Sequence, residues 1–371
     1  MDPWSPENPS GFIDLGTAEN HLLFDLLEPK LTASRVITAE DVHYQDSAGS
    51  PSFRAALAPF LSRLWRAEVD PADLVVLAGT GVALETLAFA LCEPGDGIVV
   101  PAPYFSGMDA LAGRPRARII PAPLDPATGF ALTAEAVEQA ILQNQNVRAV
   151  ALLSPNNPLG HLYDESTLRA VAEVTAAHGL HLIADEIYAG SVHTGEFVST
   201  ARVAPSDRLH VTWGFSKDFG LSGYRVGVLH TRNRQVREAV LQQSRLANPS
   251  SDTQALLRDL LLDTAWTQHF QAEARTRLRA AYDQTTSALE AAGIPYLPAP
   301  AGLFLYLNLS AHAPTFEAEA ALIQRLRTDA QVNLAAGAGF HTAAPGYYRL
   351  CLATDAAAVG QAIERLATLL G

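Results

Sequence analysis

The chain has 371 residues, of which 48% are hydrophobic and 18% charged, and a formal charge of −13. That length fits one large domain with a smaller companion and a sizeable core, and the composition excludes a disordered chain. The acidic balance, with no Lys/Arg run, excludes a nucleic-acid partner, and no stretch approaches the roughly 18 apolar residues that a membrane helix needs.

The opening Met1-Asp2-Pro3-Trp4-Ser5-Pro6 lacks the charged and apolar regions of an export signal. Cys92 and Cys351 share no metal or redox spacing, so free buried thiols in a reducing cytoplasm are expected. Residues 1–45 read as an extended arm with a short helix around Leu22 to Leu27; within it Glu19 and Asn20 interrupt an apolar run, either to cap that helix or to face a ligand. Pro51 to Trp65 has helical apolar spacing. A strand, Leu74 to Ala78, then runs into Gly79-Thr80-Gly81 and an apolar helix from Val82 to Leu91. Strand, Gly-rich turn and helix make an anion site, because free amides and the helix dipole face the ligand. The turn is not a dinucleotide fingerprint, since Leu84 stands where the third glycine belongs.

Short apolar runs at 98–100, 118–121, 147–153, 180–184 and 209–213 then alternate with helical patterns at 133–145, 165–178 and 234–247. Such alternation predicts an α/β fold with a mainly parallel sheet covered on both faces, whose ligands lie at the carboxyl ends of the strands. Three strand ends carry polar groups: Asn157 in Ser154-Pro155-Asn156-Asn157-Pro158-Leu159-Gly160, the Asp185-Glu186-Ile187-Tyr188 segment, and Lys217. A long helix over 254–290 carries Arg275, Arg277 and Arg279, read as a solvated face. From about 290 a turn-rich joint leads to a strand over 303–309, a helix over 316–329, a Tyr347 to Leu352 strand and a last helix. The expected organisation is an arm (1–45), a large ligand-binding domain (46–290) and a small α+β domain (291–371) built together with the arm.

The chemistry concentrates in Trp213-Gly214-Phe215-Ser216-Lys217-Asp218-Phe219-Gly220, with Arg225 eight positions beyond the lysine. A lysine among Phe215, Phe219 and Leu221 is partly desolvated, which lowers its pKa and favours the neutral amine that forms a Schiff base. The natural aldehyde is pyridoxal phosphate, whose phosphate suits Arg225. A surface lysine in a Gly-rich loop is the competing reading of these residues alone. His21, His43, His161, His193 and His341 share no metal-ligand spacing, and no metal is expected.

The motifs Asn157-Pro158-Leu159-Gly160, Asp185-Glu186-Ile187-Tyr188 and Ser-Lys-x-x-Gly-x-x-Gly-x-Arg from Ser216 to Arg225, in this order, resemble the fold-type I pyridoxal-phosphate enzymes of the class I/II aminotransferase superfamily. The resemblance runs from the arm to the last helix. Gly16-Thr17-Ala18-Glu19-Asn20, Phe24-Asp25 and Tyr44-Gln45-Asp46 are most similar to 1-aminocyclopropane-1-carboxylate (ACC) synthases, which act on S-adenosylmethionine (SAM). It implies an aspartate aminotransferase-like fold with a seven-stranded type of sheet, a homodimer with shared active sites, and pyridoxal phosphate on Lys217. It implies that Asp185 pairs with the ring nitrogen, that Tyr188 and Asn157 bond the ring oxygen, and that Phe105 stacks on the ring. Thr80, Gly81, Ser216 and Arg225 would hold the phosphate, with Lys217 also the base for the Cα proton. On the substrate side it implies Arg349 for the carboxylate, Glu19 near the aminobutyrate and sulfonium, and Tyr104 and Ser47 at the edge.

Two positions depart from that pattern. Ser47 stands where ACC synthases place a tyrosine that reaches the neighbouring subunit's cofactor, and Gly214 stands where the superfamily often has serine. Both are expected to leave space, which would let a second substrate, for example an electron-poor nicotinamide nucleotide, intercept the fragment left after SAM loses methylthioadenosine. The expected activity is therefore γ-replacement or carbon–carbon bond formation from SAM, or ACC formation, in specialised metabolism. An L-amino-acid aminotransferase and a binding protein that keeps the fold are the alternatives.

Overall fold

β-branched and leucine-rich runs bounded by Gly and Pro build the central layer. In the computed structural model, which describes residues 2–113, 116–245 and 247–371, they form a seven-stranded sheet. Its spatial order is Leu74–Leu77, Gly227–Thr231, Leu209–Gly214, His181–Asp185, Val147–Leu153, Gly97–Ala102 and Arg118–Pro123. The last five pair in parallel, while Gly227–Thr231 runs antiparallel to both of its neighbours. The six expected strands appear, with ends moved by at most two residues. Gly227–Thr231 was not anticipated, because Gly227, His230 and Thr231 cut its apolar run to Val228-Leu229, below the length at which a strand is legible.

Helices cover both faces. Trp65, Phe60, Trp213, Phe215 and Phe219 fill one side, with Trp213 edge-on to Phe215 at 4.9 Å and Phe219 stacked on Phe270 at 5.0 Å. Leu84, Leu87, Val100 and Tyr104 belong to the core on the other side. The pattern read over 254–290 is two helices, Ser251–Leu262 and Thr264–Ala291. Asp263 separates them: its carboxylate accepts from the Trp266 amide at 3.0 Å and pairs with Lys30 at 2.6 Å.

The C-terminal part folds around a four-stranded antiparallel sheet ordered Ala335–Ala336, Tyr347–Cys351, Phe304–Asn308 and Tyr296–Leu297. The arm joins it: Ile13–Asp14 pairs in parallel with Val332–Asn333, and the Cys351 amide donates to Leu15 O at 2.8 Å. Arg277 is partly exposed, but its guanidinium is engaged. Its guanidinium holds the Asp25 carboxylate with both terminal nitrogens, at 2.5 and 2.8 Å, and donates to Leu22 O at 2.8 Å, which ties the arm's helix Phe24–Leu31 to the long helix. Among the described residues no helix is long and apolar enough to cross a membrane.

Gly214 corrects one expectation. A Cβ there would lie 2.8 Å from Val226 O and 3.2 Å from Gly227 Cα, so the antiparallel strand occupies the space that a missing side chain was expected to leave. Gly214→Ser is expected to cost about 1–3 kcal/mol, because the backbone must shift to admit it. A lowered urea midpoint with unchanged m-value would register that cost.

Candidate active site

The carboxyl ends of the parallel strands open into a cleft of about 380 Å³. Asn157, Asp185, Tyr188, Ser216, Lys217, Arg225, Thr80, Gly81, Phe105 and Arg349 all line it, together with Thr17, Ala18 and Ser222. Residues separated by almost the whole chain meet there because the arm crosses the strand ends and the C-terminal sheet closes one side.

Each wall has a local cause. The helix Thr80–Leu91 begins after Gly79, which has φ +100° and no capping side chain, so its first amides stay free for an anion. A Cβ on Gly79 would come within 2.8 Å of Arg225 Nη2, so only glycine lets that guanidinium approach the helix end. Arg225 has no carboxylate partner among the described residues; it donates to Ser222 O at 3.0 Å. Helix amides, a hydroxyl from Ser216 and this guanidinium make a site for a small dianion such as a phosphate.

Lys217 donates from Nζ to Ala18 O at 2.6 Å, and burial followed by the nearby Arg349 guanidinium lowers its pKa. Its turn is anchored by the next residue. Asp218 accepts from Gly190 N, Ser191 Oγ and Trp213 Nε1 at 2.8, 2.7 and 2.8 Å, binding the lysine's turn to the loop that follows Tyr188. The sequence reading gave Asp218 no role; its proximity to Lys217 was the available signal.

Asp185 ends its strand fully buried, accepting from Thr212 Oγ1 at 3.0 Å. Burial pushes its carboxyl up to about 6, with the Thr212 hydroxyl and the Ile187 amide only partly offsetting it. It caps no helix, and a buried carboxyl of this kind is completed by a cation, such as a protonated ring nitrogen. Arg349, on the middle of the C-terminal sheet, donates to Asn157 Oδ1 at 2.8 Å and Gly16 O at 2.6 Å; its Nε has no partner. The guanidinium lies over the Phe340 and Phe304 rings, at 4.9 and 5.2 Å. No carboxylate neutralises it among the described residues, so an anionic group completes that end of the cleft.

Glu19 is not among the lining residues but bonds one of them, Ser222, and it does not cap a helix: Leu23 starts Phe24–Leu31 without a side-chain cap. Ser222 Oγ donates to Glu19 Oε1, and Oε2 meets His21 Nε2 at 3.2 Å; these two contacts hold its carboxyl below the usual range. Asn20 instead donates to Lys217 O at 3.2 Å. Besides Glu19, two expected substrate residues do not line the cleft. Tyr104 is fully buried, with its hydroxyl on Asp109 Oδ1 at 2.8 Å, and Ser47 is held through its carbonyl by Asn248. Among the described residues no group of three His, Cys, Asp or Glu is placed to hold a metal.

Beside Asp185, Glu186 is buried and accepts from Ser199 Oγ and Thr200 N, both at 2.7 Å. Burial raises its carboxyl from 4.5 to about 7. Between these values the folded protein keeps a proton that the unfolded chain has released, so this group's contribution to stability falls as pH rises from about 4.5 to about 7. Glu186→Gln, which cannot titrate, is expected to lessen the fall of the urea midpoint across that range, the raised carboxyls of Asp185 and Asp218 keeping the rest; an unchanged slope would remove Glu186 as a source.

An amine, a buried carboxyl lacking a cation and an anion cup at one cleft are the donor set that pyridoxal phosphate requires. Comparison with known proteins agrees. The family model described as aminotransferase class I and II matches residues 12–366. The chain is 36% identical to 1-aminocyclopropane-1-carboxylate synthase 9 of Arabidopsis thaliana, over 94% of this chain and 80% of that one. It is 34% identical to the 1-aminocyclopropane-1-carboxylate synthase of Nicotiana tabacum, over 100% and 81%. Its fold matches aspartate aminotransferase from Thermus thermophilus with maleate at a TM-score of 0.87 and 27% identity, covering 98% of this chain and 93% of that one. The chain belongs to the class I and II aminotransferase family, with an aspartate aminotransferase-like fold and pyridoxal phosphate as its cofactor.

Proposed function

We propose that the enzyme acts on SAM, removing its Cα proton and expelling methylthioadenosine from Cγ. The observation that carries this is the Glu19 carboxylate beside the cleft, bonded to the lining residue Ser222 and held ionised by Ser222 and His21, from where it would face a sulfonium. The ACC synthase relatives support the same substrate.

Pyridoxal phosphate supplies, when bound, an electron sink that stabilises negative charge at Cα. Asp185 would hold its ring nitrogen protonated, Tyr188 and Asn157 its ring oxygen, and Phe105 its face. Thr80, Gly81, Ser216 and Arg225 would hold the phosphate. Arg349 would pair with the substrate carboxylate, fixing which Cα bond faces Lys217. Lys217, its pKa lowered by burial, would accept the Cα proton at Nζ. The Cγ–S bond then breaks with its electron pair on sulfur, turning the sulfonium into a neutral thioether.

The four-carbon fragment closes to ACC or bonds to a second substrate, and we favour the second. The support is Ser47, a small side chain at the edge residue, since Gly214 leaves no room. A nicotinamide nucleotide is the acceptor class of choice, being electron-poor. Exposed apolar side chains along the arm, Val36, Ile37, Val42 and Tyr44, support a homodimer in which Ser47 serves the partner's cleft.

The test is SAM labelled in its aminobutyrate carbons, with and without nicotinamide nucleotide, read by mass spectrometry. An adduct carrying four labelled carbons supports the reading; labelled ACC alone sinks the acceptor, and intact SAM sinks the substrate.

A further inference from the structure

A contact between the two parts of the molecule bears directly on Arg349. The segment Gly337–Phe340 and the residues after it carry Phe340, whose ring lies 4.9 Å from the Arg349 guanidinium. Its base is fixed by Glu319, a buried carboxylate that accepts from Ala338 N at 2.8 Å and Gly346 N at 2.7 Å. The tip docks on the segment that carries Phe105. Tyr104 N donates to Phe340 O at 2.9 Å, and the His341 ring stacks on Tyr104 at 4.7 Å and 13°. His341 Nε2 meets Asp109 Oδ2 at 2.6 Å, while the other oxygen of Asp109 takes the Tyr104 hydroxyl at 2.8 Å.

His341 sits at φ 57°, in the left-handed region that Asn, Asp and His enter more readily than other side-chain-bearing residues, and closes the short helix Gly337–Phe340. Its surroundings are the Asp109 carboxylate, the Tyr104 face and the Phe340 carbonyl contact, all from or onto one corner. We propose that His341 and Asp109 form a positioning latch: by pinning the corner to the Tyr104–Asp109 segment they hold the Phe340 ring against Arg349 and so set the affinity for the substrate's carboxylate. The latch touches neither substrate nor cofactor; it acts through Arg349 and rests on the reading of Arg349 as the carboxylate partner. Tyr104 is then part of the latch and not a substrate contact.

The consequence is selective. Loss of the latch frees Phe340 and weakens ligands that carry a carboxylate, while ligands lacking one are unaffected. The test compares SAM with decarboxylated SAM, which lacks only that group. The Kd of the initial complex is read from the absorbance of the bound cofactor in wild-type holoenzyme, Asp109→Asn, His341→Asn and the double variant. Asparagine and histidine both tolerate the left-handed conformation, so His341→Asn leaves the backbone preference unchanged. Either substitution is expected to raise the Kd of SAM about threefold, since both side chains of the pair are partly exposed and screened, with decarboxylated SAM unmoved. The double variant should be no worse than either single one. Equal weakening of both ligands, or no change in either, would overturn the latch. Should His341→Asn fail to fold, Asp109→Asn alone still decides. Arg349→Ala must erase the preference for SAM over its decarboxylated form; a wild-type enzyme without that preference overturns the reading of Arg349, and the latch with it.

Discussion

Lys217→Ala is expected to reduce turnover by about 10⁴-fold or more, the combined loss of a covalent anchor and a general base. The effect should exceed that of any other single substitution in the cleft. The Nζ position is fixed by Ala18 O at 2.6 Å and by the Asp218 network beneath the turn, so no neighbouring amine can replace it. The fold should survive, because Lys217 makes no ion pair within hydrogen-bond reach among the described residues. Borohydride reduction of the wild-type holoenzyme should fix the cofactor's mass on the peptide containing Lys217 and leave the variant unlabelled. A variant retaining a tenth of wild-type turnover would remove Lys217 from the chemistry.

The second large effect belongs to Arg349. Arg349→Lys should raise KM for SAM by about 10²-fold with a smaller change in kcat, since lysine keeps the charge and loses the planar fork. Two charge-assisted hydrogen bonds at about 1.5 kcal/mol each account for that magnitude. The buried guanidinium already spends one nitrogen on Asn157 Oδ1 and one on Gly16 O, so a shorter donor must abandon one of these or the substrate. Steady-state kinetics separates the outcomes. A fall confined to kcat would place Arg349 in the chemical step, and unchanged kinetics would remove it from the site.

The strand-end residues were legible because the alternating pattern points to one edge of a parallel sheet, and Asn157, Asp185, Tyr188 and Lys217 all fall at that edge. Thr80 and Gly81 were legible from turn chemistry. Side-chain direction was not. Tyr104 and Phe105 are adjacent, yet Phe105 lines the cleft and Tyr104 turns to Asp109, a contact with no local sequence signature. Gly214 read as an empty place because its neighbour in space, the Gly227–Thr231 strand, is too short to be seen in sequence. Arg277 read as solvated because Asp25, which clasps it, lies 252 positions away. A similar separation, 232 positions, hides the pairing of His341 with Asp109.

The central claim is that this cleft breaks the Cγ–S bond of SAM. It is tested most directly by mixing the pyridoxal-phosphate-loaded enzyme with SAM and following the bound cofactor's absorbance together with methylthioadenosine by mass spectrometry. The account predicts methylthioadenosine in step with loss of SAM, and none from Lys217→Ala. No response to SAM, with conversion of the cofactor to its amine form by common L-amino acids, would contradict it and make the enzyme an aminotransferase.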